Sequence, residues 1–407
     1  MVFSRYNIIV DDGNHFVIFN TLSGSLIRII KDKYNEQNRD LIQGGFLVQS
    51  TDNELSRYKY LYYSSVFLQK SLNITIATTM NCNLCCPYCF EEGNKNNIIM
   101  QKDVEDAIVR YLLSQKHRQI FITWFGGEPL LNQMSINNIS LKLTKNDISF
   151  NASIVTNGTL LSDNFIMSLE NNHIESIQVT FDGPKDIHNG KRFFVNGMGS
   201  FDIILSNVKK VLRRSKCNVI IKTNLDKNNI YEYVGFKEYL TNEFNSFISQ
   251  GRLTITENYV RNRTDFSGCS NCLTEQEYFD FQYNILGKNG FLPSQKGSCP
   301  LRSNHSFIIG PDGFLYKCLE YLGDHSKSIG SILNHSFRIQ DQANYIFNYS
   351  PFEDKECCNC NVLPICGGGC PIDRKNKTMG KDINICSVFK MNVQEIISNY
   401  YHKQSIE

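Results

Sequence analysis

Apolar and polar segments alternate regularly through the middle of the chain, from Leu72 to about Asn289. Short apolar runs predict six strands: Ile74–Thr78, Gln119–Trp124, Phe150–Val155, Ser176–Phe181, Val219–Thr223 and Leu253–Glu257. Amphipathic runs between them predict six helices: Lys102–Ser114, Ser135–Leu143, Asp163–Asn171, Ser200–Arg214, Ile230–Asn242 and Thr274–Leu286. This alternation is typical of a parallel α/β sheet covered by helices. Six repeats favour a partial (β/α)6, TIM-like barrel, which binds ligands at the C-terminal ends of its strands.

The first 70 residues have a different pattern. Strands are predicted at Tyr6–Val10 and Phe16–Phe19, a helix at Ser23–Asn38, a strand at Leu41–Val48 and a helix at Asp52–Gln69. That order suits a small α+β, winged-helix-like domain. It would serve either as a structural cap on the barrel or as a peptide-binding module.

Regular periodicity weakens from about Gly297, where Cys, Gly and Pro interrupt the chain through Cys386. A segment with so little apolar periodicity needs another source of order, and bound metal contributes folding free energy. A last helix is predicted at Asn392–Tyr401. The predicted domains are therefore residues 1–70, 71–290 and 291–407.

Composition narrows the function classes. A net charge of +2 and a pI near 7.8 give no electrostatic reason to expect nucleic acid or a membrane as partner. Neither a signal peptide nor an apolar run of about 20 residues is apparent, so a cytoplasmic protein is expected. Fifteen cysteines in a reducing compartment favour metal or redox chemistry over disulfides.

Four of those cysteines lie in one loop directly after the first predicted barrel strand. Spaced as Cys82-x3-Cys86-x2-Cys89, three of them supply thiolates to a metal site. Three thiolates on a cubane of four irons leave one iron open to a small molecule. A structural zinc site is the alternative. Cys85 competes as a ligand, and we expect it instead to be a small buried filler.

The loop resembles the cysteine signature of radical S-adenosylmethionine (SAM) enzymes, with Tyr88 before the last ligand and Gly126-Gly127-Glu128-Pro129 after the second strand. The resemblance implies that Cys82, Cys86 and Cys89 hold a 4Fe-4S cluster whose open iron binds SAM and yields a 5′-deoxyadenosyl radical. Cofactor-binding candidates are Tyr88, Gly126, Gly127, Glu128, Asn157, Asp182 and Arg192. The glycines would let the backbone approach a ligand, and Glu128 would accept from an ammonium group. Asn157 and Asp182 also read as turn residues, and Arg192 as a surface charge.

The C-terminal cysteines resemble the SPASM domain, a module with two auxiliary iron–sulfur clusters in peptide-modifying radical SAM enzymes. The motif is Cys299-x13-Gly313-x4-Cys318, followed by Cys357-x2-Cys360-x5-Cys366-x3-Cys370-x15-Cys386. The resemblance implies an outer cluster on Cys357, Cys360, Cys366 and Cys386, and an inner cluster on Cys299, Cys318 and Cys370. Together with the first cluster this makes three 4Fe-4S clusters, with zinc again the alternative metal.

The inner cluster is one ligand short. Either Cys269 or Cys272 reaches in as the fourth ligand, or the position is open and binds a substrate thiolate. An open position would suit thioether formation, and we favour it. Cys217 and Cys358 have no assigned role and are expected to be structural.

The resemblance implies a maturase that installs a cross-link in a ribosomally made precursor peptide, as a thioether or as a carbon–carbon or ether bond. An electron donor such as flavodoxin or ferredoxin is implied as a second partner. An anaerobic sulfatase-maturating enzyme, which makes formylglycine, is the alternative enzyme. Those enzymes carry an Asp base directly after the cysteine of the Gly-x4-Cys motif, where this chain has Leu319 and then Glu320. A non-catalytic peptide-binding scaffold is the alternative of another class.

Overall fold

The computed structural model describes residues 1–68, 70–94, 97–115, 118–261, 271–287, 292–294, 299–334 and 336–404. They form two compact units. The first combines Met1–Gln69 with Glu275–Asn304 and Ile339–Glu407, and the second combines Lys70–Thr274 with His305–Arg338. We call them the cysteine-array unit and the barrel unit. The barrel unit thus includes a segment beyond residue 290, whereas the N-terminal residues group with the C-terminal ones.

The elements are numbered in chain order. The strands are β1 Val2–Phe3, β2 Asn7–Asp12, β3 His15–Asn20, β4 Leu26–Ile30, β5 Leu47–Val48, β6 Ser71–Ala77, β7 Gln119–Phe125, β8 Phe150–Thr156, β9 Ile174–Thr180, β10 Asn218–Leu225, β11 Leu253–Tyr259, β12 Ser306–Ile309, β13 Phe314–Tyr316, β14 Gly330–Ser331 and β15 Ser336–Phe337. The α-helices are α1 Arg39–Gln43, α2 Thr51–Phe67, α3 Lys102–Ser114, α4 Gln133–Lys145, α5 Asp163–Ser168, α6 Lys185–Lys191, α7 Phe201–Arg214, α8 Tyr233–Glu243, α9 Asn245–Ser249, α10 Glu275–Asp280, α11 Ile339–Ala343, α12 Lys355–Cys358, α13 Leu363–Cys366, α14 Pro371–Thr378 and α15 Phe389–Gln404.

The barrel unit contains all six predicted barrel strands as neighbours in one sheet, in the order β11-β10-β9-β8-β7-β6, and every pair is parallel. The predicted parallel α/β architecture is confirmed. A seventh parallel strand, β12, pairs with β6 and places Ser306 opposite Asn73. It was missed because four residues within a Cys-, Gly- and Pro-rich segment carry too little pattern. Through β12, the hairpin strand β13 joins the same sheet.

Side-chain alternation in the strands separates the helix-facing side of this sheet from the side that faces the site. Leu72, Ile74 and Ile76 of β6 are buried and belong to the same apolar core as Val104 and Ile108 of α3. Burying each such side chain contributes roughly 1.5–3 kcal/mol. On the other side of the same strands, polar side chains line a cavity described below: Thr75, Thr123, Gln178, Thr180, Lys222 and Asn224. This two-sided pattern positions the site at one face of a well-packed core.

Two N-terminal predictions are wrong. Ser23–Asn38 is not a helix but contains β4, because the isoleucine-rich run from Leu26 to Ile30 pairs antiparallel with β3. Leu41–Val48 is not one strand but the helix α1 and the short β5. The side chain of Asn38 caps α1 by accepting hydrogen bonds from two backbone amides. The α+β character and the helix predicted at Asp52–Gln69, observed as α2, are confirmed.

In the cysteine-array unit, the N-terminal region and the C-terminal cysteine segment share apolar cores. Tyr58 and Tyr62 of α2 pack edge-on against Phe352, and Leu363 belongs to the same cluster. The last helix, predicted at Asn392–Tyr401, lies within α15 and packs against β2 and β3. Two of the apolar cores thus combine N-terminal and C-terminal residues, and a third lies wholly within residues 3–47. Among the described helices, none is long and apolar enough to cross a membrane.

Among the described residues of the cysteine-array unit, Arg302 is the most buried cation, with 1% exposure. Its guanidinium donates to the Tyr62 hydroxyl at 2.7 Å and to the backbone oxygens of Tyr345 and Tyr349 at 3.3 and 2.8 Å. We expect Arg302→Ala to lower the free energy of unfolding by about 3 kcal/mol, since three acceptors and a cavity are left behind. Urea unfolding measures it. Arg57→Ala, on the exposed face of α2, is the control, and an equal loss in both variants would contradict the prediction.

Candidate functional site

The predicted cluster loop leaves the C-terminal end of β6 and borders a cavity of about 660 Å³ in the barrel unit. Cys82, Cys86 and Cys89 all line it and are half-buried. Polar side chains from the sheet form the floor: Thr75, Thr123, Gln178, Lys222 and Asn258. Parallel strands thus bring the three predicted thiolates and a polar chamber together at one end, as the sequence predicted.

The Gly126–Glu128 turn is joined to the start of the cysteine loop by backbone hydrogen bonds. Gly127 N–H donates to Thr79 O at 3.1 Å, and Glu128 N–H donates to Asn81 O at 2.8 Å. A Cβ at Gly126 would collide with the carbonyl oxygen of Thr79, and one at Gly127 with that of Asn81. Gly126 also has a φ of +129°, which favours glycine. Both glycines border the cavity, but their close approach is to the cysteine loop.

Glu128 is fully buried and is not among the residues that line the cavity. Its carboxylate accepts from Leu130 N–H at 3.1 Å, from the Thr156 hydroxyl at 2.7 Å and from Asn157 N–H at 2.7 Å. Burial raises the pKa of this carboxyl above its usual range, against those hydrogen bonds. These contacts give Glu128 a positioning role, holding the ends of β7 and β8 together. Its role as acceptor for an ammonium group stays a prediction.

Asn157 connects this carboxylate to the cysteine loop. While its backbone N–H binds Glu128, its side-chain amide donates to Asn83 Oδ1 at 2.8 Å and to Cys82 Sγ at 3.8 Å. The amide oxygen accepts from Thr159 at 2.9 Å through the backbone and at 2.7 Å through the hydroxyl. The sequence predicted Asn157 at the site. The structure shows its amide oriented toward the Cys82 thiol.

Tyr88, Asp182 and Arg192 form a second group at the cavity wall. Arg192 donates from Nη1 to the Tyr88 hydroxyl at 2.7 Å, and that hydroxyl donates to Asp182 Oδ2. Asp182 is fully buried and also accepts from Asn224 N–H at 3.2 Å. Burial raises the pKa of Tyr88 well above its usual value, so the phenol stays protonated and donates. Tyr88 and Arg192 border the cavity, whereas Asp182 supports them from behind.

The donor set suits the implied cofactors. Burial raises the pKa of Cys82 to about 11, and metal ligation requires loss of that proton. Arg192 keeps its Nε–H without a hydrogen-bond partner among the described residues, although it is only 9% exposed. A cation with spare donors beside three thiols would match a carboxylate bound next to an iron site. Cys85, expected to be buried, is instead exposed, because its backbone pairs with Phe193 and turns the side chain outward.

The cysteine-array unit holds a second ring of thiols. Cys357, Cys360, Cys366 and Cys386 line one small cavity, which is the set predicted for the outer cluster. Among the described residues, no three His, Cys, Asp or Glu side chains are placed to share a single metal ion. A cubane distributes its ligands over four irons, so its thiols stand further apart than ligands of one ion. The assignment of this cluster therefore depends on the ring of thiols around one cavity.

Several residues around this ring were not singled out from the sequence. Gly367, Gly368 and Gly369 all have left-handed φ angles of 64°, 80° and 73°, which lets the chain turn sharply between Cys366 and Cys370. The run Cys366-Gly-Gly-Gly-Cys370 was a readable signal for this turn. Arg374 donates to Cys357 Sγ at 2.6 Å, and Lys390 lies 3.7 Å from Cys386 Sγ. Single basic residues in a helix pattern carry no comparable signal.

The inner-cluster assignment stays a prediction. Cys299 and Cys370 belong to the cysteine-array unit and Cys318 to the barrel unit, and all three are half-buried. Of the two candidate fourth ligands, Cys269 lies outside the described residues. Cys272 is disulfide-bonded in this structure, an exception to the expectation that disulfides are absent. Cys217 is buried in the barrel core, and Cys358 donates to Phe352 O, in keeping with structural roles.

Comparisons with known proteins identify a domain that contains the cysteine loop. The family model of the Radical SAM superfamily matches residues 76–229. A cysteine-type anaerobic sulfatase-maturating enzyme of Clostridium novyi (strain NT) is 28% identical over 366 residues, covering 81% of this chain and 96% of its own. Native anSMEcpe with bound AdoMet has a TM-score of 0.61 at 20% identity, covering 82% of this chain and 98% of that one. Streptococcus suis SuiB bound to precursor peptide SuiA has a TM-score of 0.56 at 12% identity, covering 95% and 98%.

The β-strand order, the cysteine loop and the family match together define a radical SAM domain. Residues 76–229 are a domain of the radical SAM enzyme superfamily, and the fold of the chain is similar to those of anSMEcpe and SuiB. That class binds a 4Fe-4S cluster and SAM in this domain. The number and ligands of the auxiliary clusters belong to the proposal below.

His188 is a buried histidine that links the backbone at Asp182 to the backbone at Arg192, and its environment makes stability depend on pH. Its Nδ1 accepts from Asp182 N–H at 3.2 Å, which assigns the other proton to Nε2, 2.9 Å from the Ser200 hydroxyl; that hydroxyl donates to Arg192 O at 2.7 Å. Burial, with the Arg192 charge, lowers the pKa of His188 to about 3. The folded state therefore binds this proton less readily than the unfolded chain, whose histidines titrate near pH 6.5.

Stability from His188 is fully present above about pH 6.5 and is lost as pH falls toward 3. Between pH 6.5 and 5 the expected loss is about 2 kcal/mol. Urea unfolding at a series of pH values measures it. His188→Gln should be less stable at pH 7.5 yet lose less on acidification. Equal slopes for the variant and the parent would refute the assignment, and His173→Gln, which is not buried, serves as control.

Proposed function

We propose that this enzyme installs an intramolecular cross-link, with a thioether favoured, in a ribosomally made precursor peptide. The observation that carries the proposal is the extent of the fold likeness to SuiB bound to its precursor peptide. That likeness spans 95% of the chain. The remaining twentieth is much shorter than the first 69 residues, so the likeness must include most of them. The sulfatase-maturating structure covers 82%, which leaves a stretch about as long as this N-terminal region unmatched.

The residues of the barrel unit would divide the work at the cavity. Bound to Cys82, Cys86 and Cys89, the cluster with SAM would supply a 5′-deoxyadenosyl radical for hydrogen abstraction. Arg192 would hold the SAM carboxylate, with Tyr88 and Asp182 fixing the guanidinium. Asn157 and Glu128 would keep the Cys82 loop in place. Because these residues are buried and hydrogen-bonded to one another, they are preorganised before any ligand enters.

The remaining cavity wall would receive the peptide. Gln178, Asn258 and Tyr259 offer amide and hydroxyl groups that can bind a peptide backbone, and Leu319 and Glu320 border the same space. These five residues come from β9, β11 and the segment after Cys318. A chamber of about 660 Å³ has the size of a typical small-ligand pocket. SAM and a short loop of the peptide would occupy the cavity, and most of the peptide would remain outside it.

The cysteine array would support the oxidation that a cross-link requires. Forming one cross-link removes two hydrogens from the peptide, so an electron must leave the site after the first hydrogen atom has been taken. Cys357, Cys360, Cys366 and Cys386 would hold the outer cluster, and Cys299, Cys318 and Cys370 the inner one. A flavodoxin or ferredoxin would supply the electron that starts each cycle.

Formylglycine formation is the second candidate, favoured by the 28% identity to the Clostridium novyi enzyme. Glu320 borders the cavity and is an acid one residue after the position of the Asp base in those enzymes. Leu319, which occupies that position, is apolar and also faces the cavity. The one-residue offset is the reason that we place this function second.

Cleavage of SAM should depend on the cluster loop and not on its neighbouring thiol. We expect Cys82→Ser to reduce 5′-deoxyadenosine formation to background under reducing, anaerobic conditions, because the open-iron cluster loses a ligand. Cys85→Ser is the matched control and should retain the activity, since this thiol is exposed. Chromatographic quantification of 5′-deoxyadenosine checks both. Retained cleavage in Cys82→Ser would support the non-catalytic scaffold.

Co-expression with candidate peptides separates the two enzyme functions. A precursor peptide encoded beside the enzyme gene should lose two hydrogens per cross-link, and fragmentation should fail between the linked residues. A sulfatase peptide should instead show conversion of its Cys or Ser to formylglycine. Mass spectrometry of both peptides, with the Cys82→Ser enzyme as control, decides between them. Modification of the sulfatase peptide alone would overturn the cross-linking proposal.

Leader binding should be tested without deleting the N-terminal region. Removing residues 1–69 would uncover Phe352 and Leu363, which share an apolar cluster with Tyr6, Tyr58 and Tyr62. A photo-crosslinkable leader peptide on the intact chain avoids this. Labelled fragments from residues 1–68 would support leader recognition there, and labelling confined to other regions would reject it.

A further inference from the structure

Arg374 is a buried cation that contacts one of the predicted outer-cluster thiols. It lies on α14 and is 5% exposed. Its Nη2 donates to Cys357 Sγ at 2.6 Å, its Nε donates to Gly368 O, and its Nη1 is 3.4 Å from Asp354 Oδ2. The guanidinium thus bridges the Cys357 sulfur, the glycine turn and an acid.

Asp354 fixes both sides of this contact. Its side chain caps α12 by accepting from Glu356 N–H and Cys357 N–H, at 2.9 and 3.3 Å. The same carboxylate holds Arg374, and its pKa is lowered by these amides and by Arg374, against burial. The Asp354 carboxylate therefore fixes the positions of both Arg374 and Cys357. That arrangement holds Arg374 in place where an exposed lysine would be free to move.

Lys390 is a second cation on the ring but differs in character. Its Nζ lies 3.7 Å from Cys386 Sγ, and the residue is exposed. Water screens an exposed charge far more than a buried one. The chain therefore provides an internal comparison between a buried and an exposed cation on the same set of thiols.

We propose that Arg374 is a positioning residue that raises the reduction potential of the outer cluster, and so sets its ability to take the electron released during peptide oxidation. The proposal rests on the proposed ligand set of Cys357, Cys360, Cys366 and Cys386. Reduction adds one electron and one negative charge to the cluster, with no bond made or broken. A guanidinium donating to a ligand sulfur stabilises the more negative state more strongly, and this raises the potential.

The test is a mediated redox titration of the full chain, followed by electron paramagnetic resonance. Dithionite supplies the electrons, and Cys82, Cys86 and Cys89 are replaced by Ala to remove the first cluster's signal. We expect Arg374→Met to shift the outer-cluster potential to a more negative value and Arg374→Lys to shift it less. Lys390→Met should have a smaller effect than Arg374→Met. Lys377→Met, an exposed charge on the same helix, should leave it unchanged.

The iron content of every variant shows whether a substitution changes the reduction potential of the outer cluster or prevents the cluster from forming. An unchanged potential in Arg374→Met at full iron content would overturn the proposal. Loss of outer-cluster iron in both Arg374 variants would also overturn it, because Arg374 would then serve assembly alone. Cys360→Ser in the same background identifies the signal. If that signal persists unaltered in Cys360→Ser, the proposed ligand set fails, and the failure is distinguishable from that of the tuning role.

Discussion

The buried carboxylate of Glu128 is the contact on which the barrel site depends. It accepts from three donors at the ends of β7 and β8, while its own N–H is bonded to the cysteine loop at Asn81. A carboxylate without such partners would cost several kcal/mol to bury. Here one of the donors that stabilise the carboxylate also belongs to the site, because the side-chain amide of Asn157 donates to Cys82 Sγ. One interaction thus orders two strand ends and the Cys82 side chain.

The glycines beside Glu128 explain why this contact can form. The turn must approach the carbonyl oxygens of Thr79 and Asn81 so closely that no Cβ fits at Gly126 or Gly127. From sequence, the same glycines were interpreted as space for a ligand. Position after the second strand was enough to place the turn at the site. The position could not show whether a cofactor or the protein backbone lies close to these residues, because either one would require glycine there.

The sequence predicts elements correctly where a hydrophobic pattern repeats over many residues. It fails where a single tertiary contact determines the local structure. The barrel strands are seven or eight residues long, and β6, β7, β8 and β10 alternate buried and less buried residues along their length, so periodicity suffices. The stretch from Leu26 to Ile30 has no such length, and its pairing with β3 outweighs any helical tendency. β12 is one residue shorter still and is stabilised by its pairing with β6. Arg374 is beyond prediction for the same reason, since only folding places it against Cys357.

The short strand β12 also bears on the choice between the two proposed activities. β12 and β13 extend the barrel sheet, and the turn between them contains Gly313, whose φ of +82° favours glycine. Cys318 follows two residues after β13, and Leu319 and Glu320 then border the cavity. The Gly-x4-Cys motif therefore places the two residues that follow it, Leu319 and Glu320, at the wall of the cavity. The side chain of Leu319 has no group that can accept a proton, so a base in this segment would have to be Glu320, one residue further along the chain.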